Sequence, residues 1–279
     1  MINIYKMDMH RLKHSKVFYV AIIFITIMAF ATVMSGMSTS LGSMLGAADA
    51  APSFSAGGAA NVAIATPDIS VSGDAAADGD AFMSMMMGTS VVFILISIIL
   101  TLFVCGDYSG GFANNIFAAH SNPWDYIGGK MLSMATTSGF LLILFTVESV
   151  ISLIAFGHEV TLSGGIIGLI FFLIEKWLIS CALSSVILLV TLYTRNIAWG
   201  IVAGFLIATG GLTMGVSLFA NHFGFDWLIN IFSITISGSS QICTLSFNGL
   251  ILLRVVLASA AWIAIGCFAS RKVLKSKDI

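Results

Sequence analysis

Two short stretches of the sequence come close to a catalytic motif, and each lacks a residue that the chemistry requires. His158 and Glu159 begin the H-E-x-x-H pattern in which two histidines one helical turn apart hold zinc, but position 162 is Leu162. Gly129 and Lys130 resemble the end of a phosphate-binding loop, but its upstream glycine and final Ser or Thr are missing. We therefore expect a chain that is not an enzyme and carries no metal or cofactor of its own.

Three charged side chains lie far from the ends of long apolar stretches: Glu148, Glu175 and Lys176. An ionised group at the middle of a bilayer costs about 2.5–3.5 kcal/mol on insertion scales, so opposite charges are expected to pair. At about 1.5 Å per residue, two antiparallel helices would hold Glu148 and Glu175 at comparable depth. The sequence predicts that Lys176 pairs with Glu148 or Glu175 and fixes two neighbouring helices. The alternative, that these groups line a substrate or proton route, stays open.

The composition indicates a lipid environment for these charges. Of the 279 residues, 58% are hydrophobic and only 9% are charged, whereas soluble domains carry roughly 25% charged residues. A soluble domain of this size could not hide so much apolar surface. The four cysteines have no spacing suited to zinc or redox chemistry, so we expect most of them to pack as small apolar side chains.

Six apolar stretches are long enough for a helix to cross the hydrocarbon layer, which takes about 20 residues. They are too long and too uniformly apolar for barrel strands, and a crossing helix satisfies its own backbone hydrogen bonds. The sequence therefore predicts an all-α membrane protein, with one transmembrane domain over residues 1–279. The predicted spans are 17–35, 82–104, 131–156, 165–193, 197–220 and 250–270.

Lysine and arginine residues predict the orientation of these spans. With six spans, ten of the twelve cations fall on one side, which the positive-inside rule makes cytoplasmic. The other side collects acidic residues, so we expect a multi-pass plasma-membrane protein with both termini in the cytoplasm. The ten cations are Lys6, Arg11, Lys13, Lys16, Lys130, Arg195, Arg271, Lys272, Lys275 and Lys277.

The segment 1–16 is amphipathic at helical spacing and predicts a helix in the cytoplasmic interface, or alternatively a simple basic anchor.

The first span also resembles a secretory signal, with a cleavage pattern at Ala29-Phe30-Ala31. Cleavage would leave five spans and an external N-terminus; the length of the apolar run favours an uncleaved span. In the preceding segment 1–16, the predicted apolar face of the helix comprises Ile2, Tyr5, Met9 and Leu12.

Two further regions have the composition of loops. Residues 36–81 contain no lysine or arginine and are rich in Ala, Gly, Ser and Asp, which predicts an external loop. Between the second and third spans, the stretch 106–119 is compatible with a short cytoplasmic helix that carries Phe112 and Ile116 on one face. Those side chains need a groove, either on a partner protein or on the chain's own bundle, and both interpretations stay open.

Glycine pairs at G-x-x-x-G spacing predict close helix contacts. They are Gly164 with Gly168, Gly200 with Gly204, and Gly211 with Gly215. Such spacing allows two backbones to approach closely, either within one bundle or between two copies. Packing within one bundle is the favoured interpretation.

The loop after the second span resembles that of the permease subunits of ABC-2 type exporters, which include bacterial drug, bacteriocin and lantibiotic-immunity transporters. That family shows a pattern like D/E-Y-S-x-G-x-x-x-N at the end of the second span and a Gly-Lys at the third. The layout is similar over nearly the whole chain, although Trp124-Asp125-Tyr126 stands where an arginine is common. The matching positions are Asp107, Tyr108, Ser109, Gly111, Asn115, Ile116, Phe117, Gly129 and Lys130.

The resemblance implies a permease that acts with a second copy or a sister permease, each docked on an ATPase subunit that binds ATP and Mg. It implies export of an unidentified substrate, such as an antimicrobial peptide, drug or lipid-like molecule, and no nucleic-acid partner. The alternatives are a secondary transporter and a non-transporting immunity or scaffold protein. The residues implied to couple to the ATPase, in a cytoplasmic coupling helix, are Asp107, Tyr108, Ser109, Gly111, Phe112, Asn115, Ile116 and Phe117.

Overall fold

A computed structural model of the chain describes residues 2–44, 91–110, 123–155, 165–223, 234–243 and 248–276, and the regular secondary structure in these ranges is helical. The helices, in chain order, are α1 (Ile2–Lys13), α2 (Lys16–Met44), α3 (Val91–Ser109), α4 (Pro123–Ala155), α5 (Gly165–Thr194), α6 (Ile197–Ala208), α7 (Gly211–Phe223), α8 (Ile236–Ile242) and α9 (Gly249–Ser276).

Four of these helices, α3, α4, α5 and α9, are long and apolar enough to cross a membrane. α1 and α2 are bent by 61° relative to each other and would provide a fifth crossing if they acted as one span. The prediction of an all-helical, multi-pass membrane protein is therefore confirmed. Within the described residues, fewer than six helices meet the length and composition of a complete span.

Several helices extend beyond the predicted spans. α4 begins at Pro123, eight residues before the predicted start at 131, because proline suits the first helical position and Asp125 in the first turn complements the helix dipole. Lys130 therefore lies in a helix and not in a loop. α2 continues to Met44, into the predicted external loop 36–81. The remainder of that loop, and residues 82–90 of the predicted second span, lie outside the described residues.

The span predicted over 197–220 is wrong as a single helix. α6 ends at Ala208, and Thr209 and Gly210 separate it from α7. Gly210 has φ +71°, a left-handed conformation that glycine adopts readily and that commonly ends helices. At about 1.5 Å per residue, neither half alone would reach across the hydrocarbon layer of roughly 30 Å.

α5 is the central helix of the bundle and packs against α3, α4, α6, α8 and α9. Four of its buried hydroxyl groups donate to carbonyls three or four residues earlier in the same helix, and the Ser185 hydroxyl also lies 3.1 Å from the Trp262 carbonyl of α9. All four cysteines of the chain are free thiols; Cys105 and Cys181 are buried, as predicted for small apolar side chains, whereas Cys243 and Cys267 are half-buried. The serine and threonine residues concerned are Ser180, Ser184, Ser185 and Thr191.

Gly200 and Gly204 allow α6 to lie directly against α3. A Cβ atom on Gly204 would overlap Ser97, and one on Gly200 would overlap Thr101. This confirms packing within the chain for that G-x-x-x-G pair. By contrast, a Cβ atom on Gly215 would meet nothing within 4 Å.

Candidate functional site

Asp107, in the last turn of α3, lies at the centre of a buried cluster of charges. Its side chain is fully buried. One carboxylate oxygen, Oδ1, accepts from Nη1 of Arg11 at 2.7 Å. The other, Oδ2, lies 2.6 Å from Nζ of Lys130 and accepts from the hydroxyl of Tyr126 at 3.2 Å. Three donors from two other helices, α1 and α4, therefore converge on one carboxylate.

Lys130 joins this carboxylate to a second one. Its side chain is fully buried, and its Nζ donates to Oδ1 of Asp8 in α1 at 3.1 Å. The same Nζ lies 3.8 Å from the centroid of the Phe103 ring, a cation–π contact that further stabilises the ammonium group. We call Asp8, Arg11, Asp107, Tyr126 and Lys130 the charge network; it contains two carboxylates and two cations and joins α1, α3 and α4.

Helical spacing places these side chains together. In α1, Asp8 lies between Ile4 and Leu12 on one buried face, each one turn from the next. The predicted apolar face of α1 is therefore only partly right: Leu12 is buried, whereas Tyr5 and Met9 are half-buried. α1 turns Asp8 inward because that carboxylate faces Lys130.

Burial affects the protonation of Asp8, which lies in α1, outside the four spanning helices. Desolvation raises the pKa of its carboxyl above the usual value, and the neighbouring Lys130 opposes that shift. Its second oxygen, Oδ2, is buried and makes no hydrogen bond within the described residues. The ionised form of Asp8 is therefore stabilised mainly by Lys130.

Other cations collect at the same end of the bundle. Arg195, directly after α5, places its guanidinium 4.9 Å from the centroid of the Tyr108 ring. Arg271, near the end of α9, lies 5.2 Å from the centroid of the Trp124 ring at the start of α4. Together with Arg11 and Lys130 of the charge network, four of the ten cations that were predicted to lie on the same side of the membrane are therefore found at one end of the bundle.

The structure describes the first three of the predicted coupling residues. Asp107, Tyr108 and Ser109 form the last turn of α3, where the Ser109 hydroxyl donates to the carbonyl of Gly106 at 3.3 Å. The predicted coupling helix itself falls outside the described residues, together with Gly111, Phe112, Asn115, Ile116 and Phe117.

The ion pair predicted for Lys176 is replaced by a different contact. Its buried Nζ donates to the backbone carbonyl of Ser240 at 2.7 Å and to the Ser240 hydroxyl at 3.0 Å. Within the described residues, Lys176 forms no direct ion pair. Glu148 instead accepts from the Thr26 hydroxyl at 2.8 Å.

The neighbouring Glu175 attracts Lys176 only at longer range, and the Cys243 thiol donates to the backbone carbonyl of Ser239 at 3.3 Å. The reason is geometric, because consecutive residues of a helix point about 100° apart. Lys176 therefore holds the short helix α8 against α5, deep in the bundle.

Sequence reasoning missed Asp8 and Tyr126 as members of the charge network. Asp8 could have been found, because it is the only acidic residue in the first 48 positions, among four cations. Tyr126 could not, because its role depends on α4 beginning at Pro123. Within the described residues, no three His, Cys, Asp or Glu side chains come together as metal ligands.

The helices and the charge network define a class, a multi-pass helical membrane protein with a buried ionic cluster at one end. Comparisons with protein-family models, with curated proteins and with solved structures found no match for this chain. Its function is therefore inferred from its own residues and from the resemblance noted in its sequence.

Proposed function

We propose that this chain is the membrane-spanning permease subunit of an ATP-driven ABC exporter. It would move a substrate such as an antimicrobial peptide, drug or lipid-like molecule out of the cell, while ATP and Mg are bound by separate ATPase subunits. The observation that carries the proposal is the charge network. It ties α1 and the start of α4 to the last turn of α3, where the segment 106–119 that is predicted to contact the ATPase begins.

The network supports this role because it makes three helices move together. Removing one partner from a buried ion pair costs about 3–5 kcal/mol, since the remaining charge is left uncompensated. A force applied by a partner to the segment between α3 and α4 would therefore shift α1, α3 and α4 as one body. Such a body transmits a displacement from the ATPase to the spans.

The proposed arrangement has six spans and both termini in the cytoplasm. α2 and the interrupted pair α6–α7 would complete the set begun by α3, α4, α5 and α9. The gathering of Arg11, Lys130, Arg195 and Arg271 at one end supports a cytoplasmic position for that end. A second copy or a sister permease would line the transport pathway.

Purification of the tagged chain from its native membranes tests the proposal through the ATP hydrolysis of the purified material. We expect an ATPase subunit to co-purify and F112A/I116A to reduce the co-purifying ATP hydrolysis several-fold. I166A is the matched control, because Ile166 is an exposed apolar residue at the start of α5. The cations near the charge network lie at the opposite end of that helix. Hydrolysis that is equal in all three preparations would contradict the proposal.

A secondary transporter is the second candidate. The interruption between α6 and α7 and the buried contact of Lys176 with α8 favour it, because broken helices near charged groups bind substrates and coupling ions in such transporters. Transport by the purified chain alone in liposomes, driven by an ion gradient and unaffected by K176M, would exclude a role for this contact. Gradient-driven transport that K176M abolishes would favour this candidate over the exporter.

A further inference from the structure

A groove opens where the bend between α1 and α2 meets α3. Its empty volume, with the open space at its mouth included, is about 570 Å³. One wall belongs to the bend and the other to α3, and six of the nine lining residues have apolar side chains. The apolar side chains are Leu12, Val17, Phe18, Ile99, Leu102 and Phe103.

The polar part of the groove is cationic. Arg11 and Ser15 also line it; the Arg11 side chain binds Asp107 yet remains 36% exposed. Lys13 and Lys16, next in sequence to lining residues, are exposed. Residues 2–44 carry four cations and one carboxylate, a net charge of +3.

We propose that this groove binds one anionic phospholipid. The phosphate would lie beside Arg11, with Lys13 and Lys16 providing further attraction, and part of one acyl chain would pack between the bend and α3. This inference depends on the membrane setting of the chain and not on an ATPase partner. Cations at a membrane surface each contribute about 1 kcal/mol toward binding anionic lipids.

A phospholipid fits both parts of the groove. Inorganic phosphate would interact with the cations but would leave the apolar walls uncovered. A neutral lipid would cover the walls, at about 0.8 kcal/mol per buried methylene group, but would not use the local charge. The groove also shares Arg11 with the charge network and Phe103 with its cation–π contact, so a bound lipid would contact the residues that hold α1, α3 and α4 together.

Lipid binding by the purified full-length chain tests the inference. In a neutral detergent, native mass spectrometry would follow titrations with phosphatidylglycerol and with phosphatidylcholine of identical acyl chains. We expect phosphatidylglycerol to bind roughly tenfold or more tightly, as two exposed lysines near the phosphate would provide. Equal binding of the two lipids would overturn the proposal.

Two pairs of variants separate the apolar and cationic parts of the site. L102W places a large side chain in the groove and should abolish the preference, whereas V20W, on an exposed face of α2 outside the groove, should retain it. K13Q/K16Q should reduce the preference several-fold, and K272Q/K275Q in α9 should not. The lysine pair keeps the test decisive if L102W fails to fold.

Glycerol 3-phosphate distinguishes a lipid site from a simple phosphate site. We expect it to compete with phosphatidylglycerol only at concentrations far above those of the lipid, because it lacks the acyl chain. Competition at equal concentration, or an unchanged preference in K13Q/K16Q, would contradict a lipid-specific groove.

Discussion

The ammonium group of Lys130 lies between two carboxylates, 2.6 Å from Asp107 and 3.1 Å from Asp8. None of the three side chains is accessible to solvent. A buried ion pair of this kind contributes little compared with apolar packing, but the loss of one member is costly. The effect of the charge network on stability should therefore be seen mainly when one of its members is removed.

Replacement of Lys130 by methionine should leave two buried carboxylates with Arg11 as their remaining cation in the network. We expect K130M to lower the free energy of unfolding by about 3–5 kcal/mol and to reduce the monodisperse yield. Thermal unfolding in detergent measures this. K272M, the same change at an exposed lysine of α9, should have little effect. Equal stability of K130M and the unsubstituted chain would contradict the described network.

Lys176 leads to a different prediction, because it bonds to Ser240 and not to a carboxylate. K176M should lower the folded yield by releasing α8 from α5, and it should change substrate selectivity less. S240A should be milder, since the backbone carbonyl that accepts at 2.7 Å remains. A selectivity change in K176M without loss of yield would instead assign Lys176 to the substrate route.

At the scale of helices, α6 and α3 touch through the two glycines of a G-x-x-x-G pair. G204A should force Ser97 and its helix away, at a cost of about 1–3 kcal/mol. G215A, where a Cβ atom meets open space, should be neutral or slightly stabilising. The difference between the two melting temperatures is the measurement; if G204A were as stable as G215A, the close α3–α6 contact would be absent.

The sequence predicted the helical elements better than their interruptions. The long apolar runs identify α3, α4, α5 and α9 because a bilayer requires such runs. The break at Gly210 was missed because hydrophobicity continues across it and the signal is one backbone angle. Similarly, the sequence did not predict that α4 begins at Pro123, because the residues around that position are polar and the apolar run starts later.

The candidate site was predicted only in part for a related reason. Asp107 and Lys130 were singled out through a family resemblance, but the contact between Lys130 and Asp8 joins residues 122 positions apart in the chain. Apolar spacing favoured a different face of α1, because such patterns treat a carboxylate as a solvent-facing residue. A carboxylate in a buried salt bridge faces the interior instead, and the salt bridge of Asp8 becomes evident only when α1 is seen packed on α4.

For the molecule as a whole, the proposed topology can be tested by cysteine labelling. In a variant whose four cysteines are replaced, S276C should react with a membrane-impermeant maleimide only after the cells are permeabilised. S72C, in the predicted external loop, should react in intact cells. Labelling of S276C in intact cells would place the C-terminus outside and contradict the six-span arrangement.

The proposed exporter works only if this chain stimulates ATP hydrolysis by a separate ATPase subunit. The most direct measurement is ATP hydrolysis by the purified ATPase subunit in liposomes, with and without this chain. We predict that hydrolysis rises several-fold when the chain is present and that F112A/I116A abolishes the rise while I166A preserves it. Hydrolysis that does not respond to the chain, or transport that the chain performs alone on an ion gradient, would contradict the account.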